Sequence, residues 1–450
     1  MIKDFVIKKG VLLKYNGKDE NVVIPDKVTS IGDKAFYECE HITSVTIPDG
    51  VTSIGFCAFC MCKNLTKINI PNSVKSIGNW AFQECRSLVD ENGFLIVKNV
   101  LYHYYGNDKD IIIPDNVTNI AIRAFDRCEN LETVVMGDNI VKIGDCAFEG
   151  CKKLKSIIIP DSVKHIGEGA FLKCNKLADK NGFVIIRNVL HYYCGTSTDV
   201  IIPDGVIEIG TFAFKEKKSL QSVVIPTSVR IIKQCAFYWC RFLQTVTICG
   251  AKIIENHVFY ECKRLQTVKL PTTITHIGNL AFYGCESIEI FDIPNSVISI
   301  GEAAFGECKK LKEIIIPDSV KKIGKWIFGN CKELVSASIS NSLTTIPNEA
   351  FRSCKKLEAL IIPDTITSIE DCAFLKCETL QTVTVPENVK NIGDGAFMEC
   401  KNLQRVNLSD NIKIIKPYTF YACKSLSIYA PAESAAEQYS KENNIKFVAI

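Results

Sequence analysis

Cysteine is the residue type with the most evident chemical potential in this 450-residue sequence, which contains 22 of them. The densest group is Cys57, Cys60 and Cys62 in the segment CAFCMC. Two cysteines separated by two residues could bind zinc or form a redox pair, but a zinc site of this type normally needs a second pair at similar spacing. No second pair exists, so we predict no metal site and no cofactor. A thiol or zinc site at Cys57–Cys62 is kept only as a remote alternative.

The remaining reactive side chains do not form a catalytic pattern. No HExxH motif, nucleophile elbow or phosphate-binding loop occurs anywhere in the chain. The carboxylates Asp33, Asp145 and Asp394 share one position of a repeat and are interpreted as polar turn residues. We therefore predict that the protein is not an enzyme.

The cysteines recur because the chain is built from a repeat. The segment IPDKVTSIGDKAFYECEHITSVT at 24–46 is followed at once by IPDGVTSIGFCAFCMCKNLTKIN, and the pattern occurs sixteen times, usually every 23 residues. When positions are numbered from zero at Ile24, position 12 is Phe in every copy, from Phe36 to Phe420. Position 15 is Cys in every copy except one, which has Lys217. This period predicts a leucine-rich-repeat solenoid, a right-handed, β-rich array of sixteen 23-residue repeats with capped ends.

Each repeat contains segments with separate structural preferences. The segment LxxVxI predicts a short strand with alternating inward and outward residues, and the following Pro ends it. Gly at position 8 predicts a corner with unusual dihedral angles. The AFxxC segment predicts one helical or 3₁₀ turn. The recurring Cys is interpreted as a buried ladder of small hydrophobic side chains, since the rung spacing of about 4.8 Å exceeds the Cβ separation of a disulfide.

Three segments interrupt or flank the repeat. Residues 1–23 predict an N-terminal β-hairpin cap, and related hairpins are predicted as insertions into the 24–429 solenoid at about 90–112 and 179–201, each 89 residues after the previous one. We expect these two hairpins to bulge from the solenoid. Residues 430–450 predict a C-terminal cap, with a helix over 431–443 and a final strand over 445–450.

Bulk properties exclude several classes of protein. Lys and Arg number 53 against 50 for Asp and Glu, so a net charge of +3 gives no reason to expect nucleic acid as a partner. No apolar run is long enough to span a membrane. The N-terminal segment does not resemble a secretory signal, and we expect no lipid anchor at the C-terminus. Many free thiols favour a reducing, cytoplasmic location.

The phrase IPxxVxxIGxxAFxxCxxLxxV, together with SAAEQYSKENNIKF at 434–447, resembles the BspA-type leucine-rich-repeat family. The resemblance extends over almost the whole chain. It implies a non-enzymatic protein that binds other proteins, and an adhesion role at a cell surface or as a secreted protein. The function predicted here is accordingly a protein-binding scaffold of adhesin type. An intracellular adaptor that uses the same strand face is the alternative.

The outward strand position 22 supplies the candidate binding surface. It is polar toward the ends of the array but apolar in between, and hairpin aromatic residues are expected to project beside it. The candidate residues are Ile112, Val135, Ile158, Ile201, Val224, Tyr102, His103, Tyr104, Tyr192 and Tyr193. Apolar stripes of this kind mark interaction surfaces, and Tyr is favoured at interfaces. Two other interpretations stay open: the hairpins could cover the stripe, or the residues could simply favour strands.

Overall fold

The computed structural model describes residues 4–450, so the first three residues of the predicted cap at 1–23 lie outside it. The chain divides into two compact units. Unit 1 ends at Val184, and unit 2 comprises Ile185–Ile450. Each unit is a leucine-rich-repeat β-solenoid, and the chain has about 19 turns of about 23 residues with almost no helix.

Every repeat contributes one very short strand at positions 6 and 7. We call the stack of these strands the short ladder, in which neighbouring strands pair parallel and an inward Ile lies at the second position. Its strands are β4 (Ser30–Ile31), β6 (Ser53–Ile54), β8 (Ser76–Ile77), β12 (Asn119–Ile120), β14 (Lys142–Ile143) and β16 (His165–Ile166), then β20 (Glu208–Ile209), β22 (Ile231–Ile232), β24 (Ile253–Ile254), β26 (His276–Ile277), β27 (Ser299–Ile300), β29 (Lys322–Ile323), β31 (Thr345–Ile346), β33 (Ser368–Ile369), β35 (Asn391–Ile392) and β37 (Ile414–Ile415).

The LxxVxI segments form the second stack, the long ladder, whose strands are three or four residues long. Its strands are β3 (Asn21–Val23), β5 (Ser44–Thr46), β7 (Lys67–Asn69), β11 (Asp110–Ile112), β13 (Thr133–Val135) and β15 (Ser156–Ile158), then β19 (Asp199–Ile201), β21 (Ser222–Ile225), β23 (Thr245–Ile248), β25 (Thr267–Lys269), β28 (Glu313–Ile315), β30 (Ser336–Ser338), β32 (Ala359–Ile361), β34 (Thr382–Thr384), β36 (Arg405–Asn407) and β38 (Ser427–Ala430).

The hairpin strands belong to turns of the solenoid and do not bulge from it as expected. They are β1 (Phe5–Lys8) with β2 (Val11–Tyr15), β9 (Phe94–Val97) with β10 (Val100–Tyr104), and β17 (Phe183–Ile186) with β18 (Val189–Tyr193). The second strand of each hairpin pairs parallel with the next short-ladder strand, as β2 does with β4, β10 with β12 and β18 with β20. Each hairpin module therefore supplies a full turn, which explains why the turns outnumber the sixteen predicted repeats.

The ladders are not continuous within a unit. In unit 1, one short-ladder sheet ends at β8 and another begins at β9 and β10. The long ladder of unit 1 is divided in the same way, into β3-β5-β7 and β11-β13-β15. In unit 2, the short ladder is divided between β29 and β31, and the long ladder forms the sheets β19-β21-β23-β25 and β28-β30-β32, followed by a third that begins at β34.

The AFxxC segment forms two consecutive hydrogen-bonded turns, so the predicted helical turn is wrong. Residues at positions 10 and 14 have left-handed backbone angles, as at Lys34 (φ 56°) and Glu38 (φ 60°). These angles turn alternate N–H groups toward the next turn, where Phe36 N donates to Ala58 O at 2.7 Å. A helix would use all of its N–H groups internally, whereas this corner uses them to join neighbouring turns.

Glycine at position 8 is required by close packing and not by unusual dihedral angles. A Cβ atom on Gly55 would lie 2.5 Å from Asp33 N, and one on Gly78 would lie 2.5 Å from Phe56 N. Neither glycine has a positive φ. The backbones of neighbouring turns approach so closely at this corner that no side chain fits between them.

The core is a column of stacked Phe rings beside a column of thiols. Phe259 and Phe282 have ring centroids 5.2 Å apart and Phe282 and Phe305 5.6 Å apart, with nearly parallel planes. Most of the recurring cysteines donate Sγ–H to the Phe carbonyl of the preceding turn, as Cys285 does to Phe259 O at 3.3 Å. No disulfide forms among the cysteines of residues 4–450. The ladder prediction for these cysteines therefore agrees with the structure.

The C-terminal segment forms α1 (Ala435–Glu442) and β39 (Lys446–Ala449). The helix begins after Ser434, whose hydroxyl accepts a hydrogen bond from Glu437 N, and not at Pro431 as predicted. Tyr439 of this helix packs edge-on against the ring of Phe420. β39 pairs parallel with β38.

Candidate functional site

The long ladder of unit 1 presents three apolar side chains in register. Ile112 pairs with Val135 and Val135 with Ile158 on adjacent parallel strands. The three side chains are 71, 38 and 60% exposed. We call this set the unit 1 apolar ladder. Its members lie about one rung spacing of 4.8 Å apart, so they form a continuous apolar strip.

The polar residues two positions earlier flank this strip with a second row. The carboxylate of Asp110 accepts a hydrogen bond from the hydroxyl of Thr133 on the next strand. In unit 2, the carboxylate of Asp199 accepts a hydrogen bond from the hydroxyl of Ser222 in the same way, and this bond lowers the pKa of Asp199. The Asp110–Thr133 bond fixes these two polar side chains beside the apolar row of unit 1.

The two predicted surface residues of unit 2 also lie on paired strands. Ile201 pairs with Val224 on β19 and β21. Ile201 is 72% exposed, but Val224 is only partly exposed. The structure thus places the predicted aliphatic residues in two groups, three in unit 1 and two in unit 2.

Three further apolar residues that were not predicted are exposed at the same repeat position, namely Val23 in unit 1 and Ile315 and Ile361 in unit 2. Ile315 and Ile361 are 68 and 72% exposed in unit 2, and both pair with Ser338 on the strand between them. Continuing the count of position 22 along the sequence would have found them. The serine separates them, so they do not form a continuous apolar strip.

Two of the predicted surface tyrosines are in the core, which corrects the prediction. Tyr104 and Tyr193 are 2 and 1% exposed. Their rings begin the Phe columns, with centroid distances of 5.6 Å from Tyr104 to Phe125 and 5.0 Å from Tyr193 to Phe214. Tyr occupies the Phe position in each hairpin turn. Tyr15 has the same role in the first hairpin turn, because its ring lies 5.2 Å from that of Phe36.

A glycine two residues after each of these tyrosines makes room for its phenol. A Cβ atom on Gly106 would lie 2.3 Å from the Tyr104 hydroxyl, and Gly17 has the same relation to Tyr15. The hydroxyl of Tyr104 donates to Asp108 Oδ2 at 2.8 Å, which satisfies it at the edge of the core. The motif Tyr-x-Gly is therefore the signal that could have identified these tyrosines as buried.

The other hairpin aromatic residues do not lie beside the apolar ladder. Tyr102 packs edge-on against the Phe82 ring at 5.4 Å, and burial raises its pKa. Burial also lowers the pKa of the neighbouring His103. Tyr192 is partly buried, and Lys217 donates to its hydroxyl at 3.1 Å and lies over its ring. The hairpins leave Ile112, Ile158 and Ile201 exposed, so they do not cover the apolar stripe.

A cavity of about 670 Å³ lies in unit 1 beside the hairpin β9–β10. Tyr102 and His103 line it together with residues that the sequence analysis did not predict, chiefly Trp80, Arg123 and Asp126. Arg123 bonds to Asp126 Oδ2 at 3.1 Å and also pairs with Glu149. No sequence motif marks this cavity, because it arises where one short-ladder sheet ends and the next begins.

The three thiols of the CAFCMC segment are packed in the core and have low reactivity. Cys57, Cys60 and Cys62 are all buried, and burial raises the pKa of each, that of Cys60 to about 11. Such thiols are poor nucleophiles, because the thiolate is the reactive form. Within residues 4–450, no three His, Cys, Asp or Glu side chains are grouped closely enough to hold a metal ion.

The three carboxylates interpreted as turn residues have a structural role. Asp33 Oδ1 accepts a hydrogen bond from Phe56 N on the next turn at 2.7 Å. Asp145 and Asp394 accept equivalent bonds from Glu168 N and Tyr418 N.

None of the helices in the described part of the chain has the length and apolarity that crossing a bilayer requires.

Several solved structures are similar to this chain, and the first of them supports the fold. The chain resembles a leucine-rich repeat protein from Bacteroides ovatus, with 24% identity over 99% of this chain and 100% of that chain and a TM-score of 0.54. It is also similar to a leucine-rich repeat protein from Eubacterium ventriosum, with 23% identity over 72% of this chain and 88% of that one and a TM-score of 0.45. A leucine rich cell surface protein from Faecalibacterium prausnitzii is 25% identical over 98% of this chain and 95% of that one, with a TM-score of 0.30.

No curated protein matches the sequence. A family model does, and it covers nearly the whole repeat array. The BspA type leucine rich repeat region matches in six copies, which together span residues 13–92, 96–181, 184–308, 275–361 and 344–437. These segments include the Phe and Cys columns, most of the second and third hairpins and the first three residues of the C-terminal helix. The chain belongs to the BspA-type leucine-rich-repeat family.

Proposed function

We propose that this protein is a non-catalytic scaffold that binds another protein through the unit 1 apolar ladder. The observation that carries the proposal is the exposure of Ile112, Val135 and Ile158 in register on adjacent strands. Contiguous exposed apolar patches usually mark interaction surfaces. The proposed partner surface is an apolar patch of matching width.

The backbone under this ladder is suited to binding. Each strand is held by parallel pairing to its neighbour and by a buried residue such as Val134. A rigid, preformed surface loses little conformational entropy when a partner binds. The hydrogen-bonded row that includes Asp110 and Thr133 supplies a polar margin, as in other protein interfaces.

The aromatic residues named as surface candidates have different parts in this proposal. Tyr102, His103 and Tyr192 are only partly exposed and are not assigned to the ladder surface. Tyr104 contributes through the core of unit 1, and Tyr193 lies in the core of unit 2. Ile201 and Val224 form a smaller second patch of the same kind.

Membership of the BspA-type family supports a binding role at a cell surface or outside the cell, and an adhesin is the form of this function that we propose. One solved relative is described as a cell surface protein. The second candidate is an intracellular adaptor, which the many free thiols favour. Membrane-impermeant biotin labelling of intact native cells separates the two. Labelling before lysis supports the adhesin, and labelling only after lysis supports the adaptor.

The binding surface is tested with charge substitutions. Tagged wild type and an Ile112→Asp, Ile158→Asp variant are produced in native cells, and the co-purified proteins are quantified by mass spectrometry after reversible cross-linking. Ile361→Asp is the matched control, since Ile361 is equally exposed at the same repeat position in unit 2. We expect the double variant to lose the partner while the control keeps it. Equal recovery with all three chains would contradict the proposal.

A further inference from the structure

The cavity in unit 1 occupies the place of a missing rung in the short ladder. The sheet β1-β2-β4-β6-β8 ends at Ser76–Ile77, and the hairpin β9–β10 begins another sheet. The cavity lies between them, with Lys75, Ile77 and Gly78 on one side and Leu95 and Tyr102 on the other. Its volume of about 670 Å³ is within the range of ordinary ligand sites.

The edge of β8 has the hydrogen-bonding groups of a strand without its neighbour. In the preceding turn, Thr52 O accepts from Lys75 N and Ile54 O accepts from Gly78 N, both at 2.8 Å. By the same pattern, Lys75 O and Ile77 O should accept from a further turn. Within the described chain, no N–H group donates to either of these carbonyls.

One side chain already caps the start of this edge. Lys98, in the turn of the hairpin, donates from Nζ to Pro71 O at 2.8 Å and to Val74 O at 3.0 Å. Both carbonyls precede the strand, so the lysine leaves Lys75 O and Ile77 O without a donor. The part of the edge that begins at Lys75 stays open to the cavity.

The cavity also offers apolar contacts to a ligand. Ile77 is partly exposed there, whereas its equivalents Ile31 and Ile54 are buried. The indole of Trp80 is 40% exposed at the same corner and contacts the ring of Phe56. Apolar side chains of a ligand could cover both Ile77 and Trp80.

The charged residues around the cavity are mainly basic. Lys75, Lys98, Arg123 and Lys142 line it, against the carboxylates of Asp126 and Asp145. The surplus of cations favours a ligand with carboxylate groups.

We propose that this cavity binds a short, extended peptide with acidic and apolar side chains, which pairs parallel with the β8 edge and takes the place of the missing rung. Two peptide N–H groups three residues apart donate to Lys75 O and Ile77 O, as Lys75 N and Gly78 N do to Thr52 O and Ile54 O. Apolar side chains contact Ile77 and Trp80, and acidic side chains face the lysines. This site is separate from the unit 1 apolar ladder and does not depend on it.

The test uses the whole chain and a phage-displayed library of linear hexapeptides. The best selected peptide is synthesised and titrated against wild type and variants by calorimetry. We expect acidic, apolar sequences, at least tenfold weaker binding to Trp80→Ala, and weaker binding to Lys142→Glu. Trp239→Ala is the control, because Trp239 is similarly exposed but lies in unit 2. Thermal melting of each variant checks that it is folded.

N-methylation of the peptide tests the backbone pairing. Methylating the two amides that face Lys75 O and Ile77 O should reduce affinity at least tenfold, and methylating either of the two amides between them should have little effect. The proposal is overturned if no peptide is enriched, if the Trp80 and Lys142 variants bind as wild type does, or if methylation at every amide is equally tolerated. Ile112→Asp should leave peptide binding unchanged, which separates this test from that of the proposed function.

Discussion

Two regions of the solenoid use the same repeat with different results. In the turns around Phe259, Phe282 and Phe305 of unit 2, each ring lies between two others and neighbouring short-ladder strands are paired. At the interruption in unit 1, the Phe82 ring meets Tyr102 edge-on and the ladder ends at Ile77. The regular turns satisfy their own short-ladder hydrogen bonds and core, so unpaired backbone carbonyls of the short ladder are found where that ladder is interrupted.

The same contrast applies to the outer surface of the long ladder. The Phe and Cys columns barely change from turn to turn because both are buried between neighbours. The outward residues of the same strands vary, from Thr46 and Asn69 to Ile112, Val135 and Ile158. Burial fixes the inner residues, and the outer ones are free to define a binding surface.

The largest expected effect is the loss of a ring from the regular region. Phe282→Ala should lower the free energy of unfolding by about 3–5 kcal/mol, because it leaves a cavity between two stacked rings. Ile361→Ala, at an exposed position, is the control and should change stability by less than about 0.5 kcal/mol. Urea unfolding followed by circular dichroism measures both. Equal stability of the two variants would show that the Phe column is not the core.

A smaller loss is expected from filling the close approach between turns. Gly278→Ala should destabilise by about 1–3 kcal/mol, since its Cβ would lie 2.6 Å from the backbone carbon of Glu255. Gly210→Ala, after the third hairpin, should cost less because its nearest atom, Leu190 O, is 3.1 Å away. The same unfolding measurement compares them. A greater cost at Gly210 would contradict the explanation by backbone contact.

The buried His191 of the third hairpin should make stability depend on pH. Burial lowers the pKa of His191 to about 4 in the folded chain, whereas an unfolded histidine titrates near 6.5. The unfolded state therefore binds more protons between these values, and stability should fall by about 2 kcal/mol as the pH drops from 7 to 5.

His191→Tyr is the matched variant for this effect. Tyr102 occupies the equivalent position 89 residues earlier, so the substitution reproduces a side chain that the fold already uses. Unfolding measured at pH 7 and 5 should show a smaller decrease for the variant than for wild type. An identical decrease in both proteins would remove His191 as the cause.

The smallest expected effect on stability is at the edge of the interruption. Trp80→Ala should lower the free energy of unfolding by about 1 kcal/mol, because the indole is partly exposed and loses mainly its contact with the ring of Phe56. Thermal melting measures this change. A loss as large as that of Phe282→Ala would mean that Trp80 is part of the core and not of an open site.

Much of the fold follows from the period and from the chemistry of single positions. The inward Phe, Cys and Ile residues could be assigned because burial imposes the same side chain in each turn. The helical turn predicted for AFxxC was wrong because the sequence does not show that alternate N–H groups of Phe36 and its equivalents bond to the next turn. The role of the glycines at position 8 could not be predicted for the same reason, because it depends on the distance between the backbones of neighbouring turns.

The candidate surface was predictable only in part. The alternation along β11, β13 and β15 identifies Ile112, Val135 and Ile158 as outward residues, and they are exposed. Tyr104 was misplaced because aromatic residues in a hairpin were expected at the surface, although the glycine at 106 makes room for a buried ring. The cavity at Trp80 could not be predicted, since it depends on two strands that fail to pair.

The most direct test of the proposed binding surface is photo-cross-linking in native cells. A benzoylphenylalanine is placed at Val135 in one chain and at Val141 in another, a residue that is 44% exposed beside the short ladder of the same unit. We predict a discrete protein adduct from position 135, absent from position 141 and lost when Ile158→Asp is added. No adduct at position 135, or equal adducts at both positions, would contradict binding through the apolar ladder.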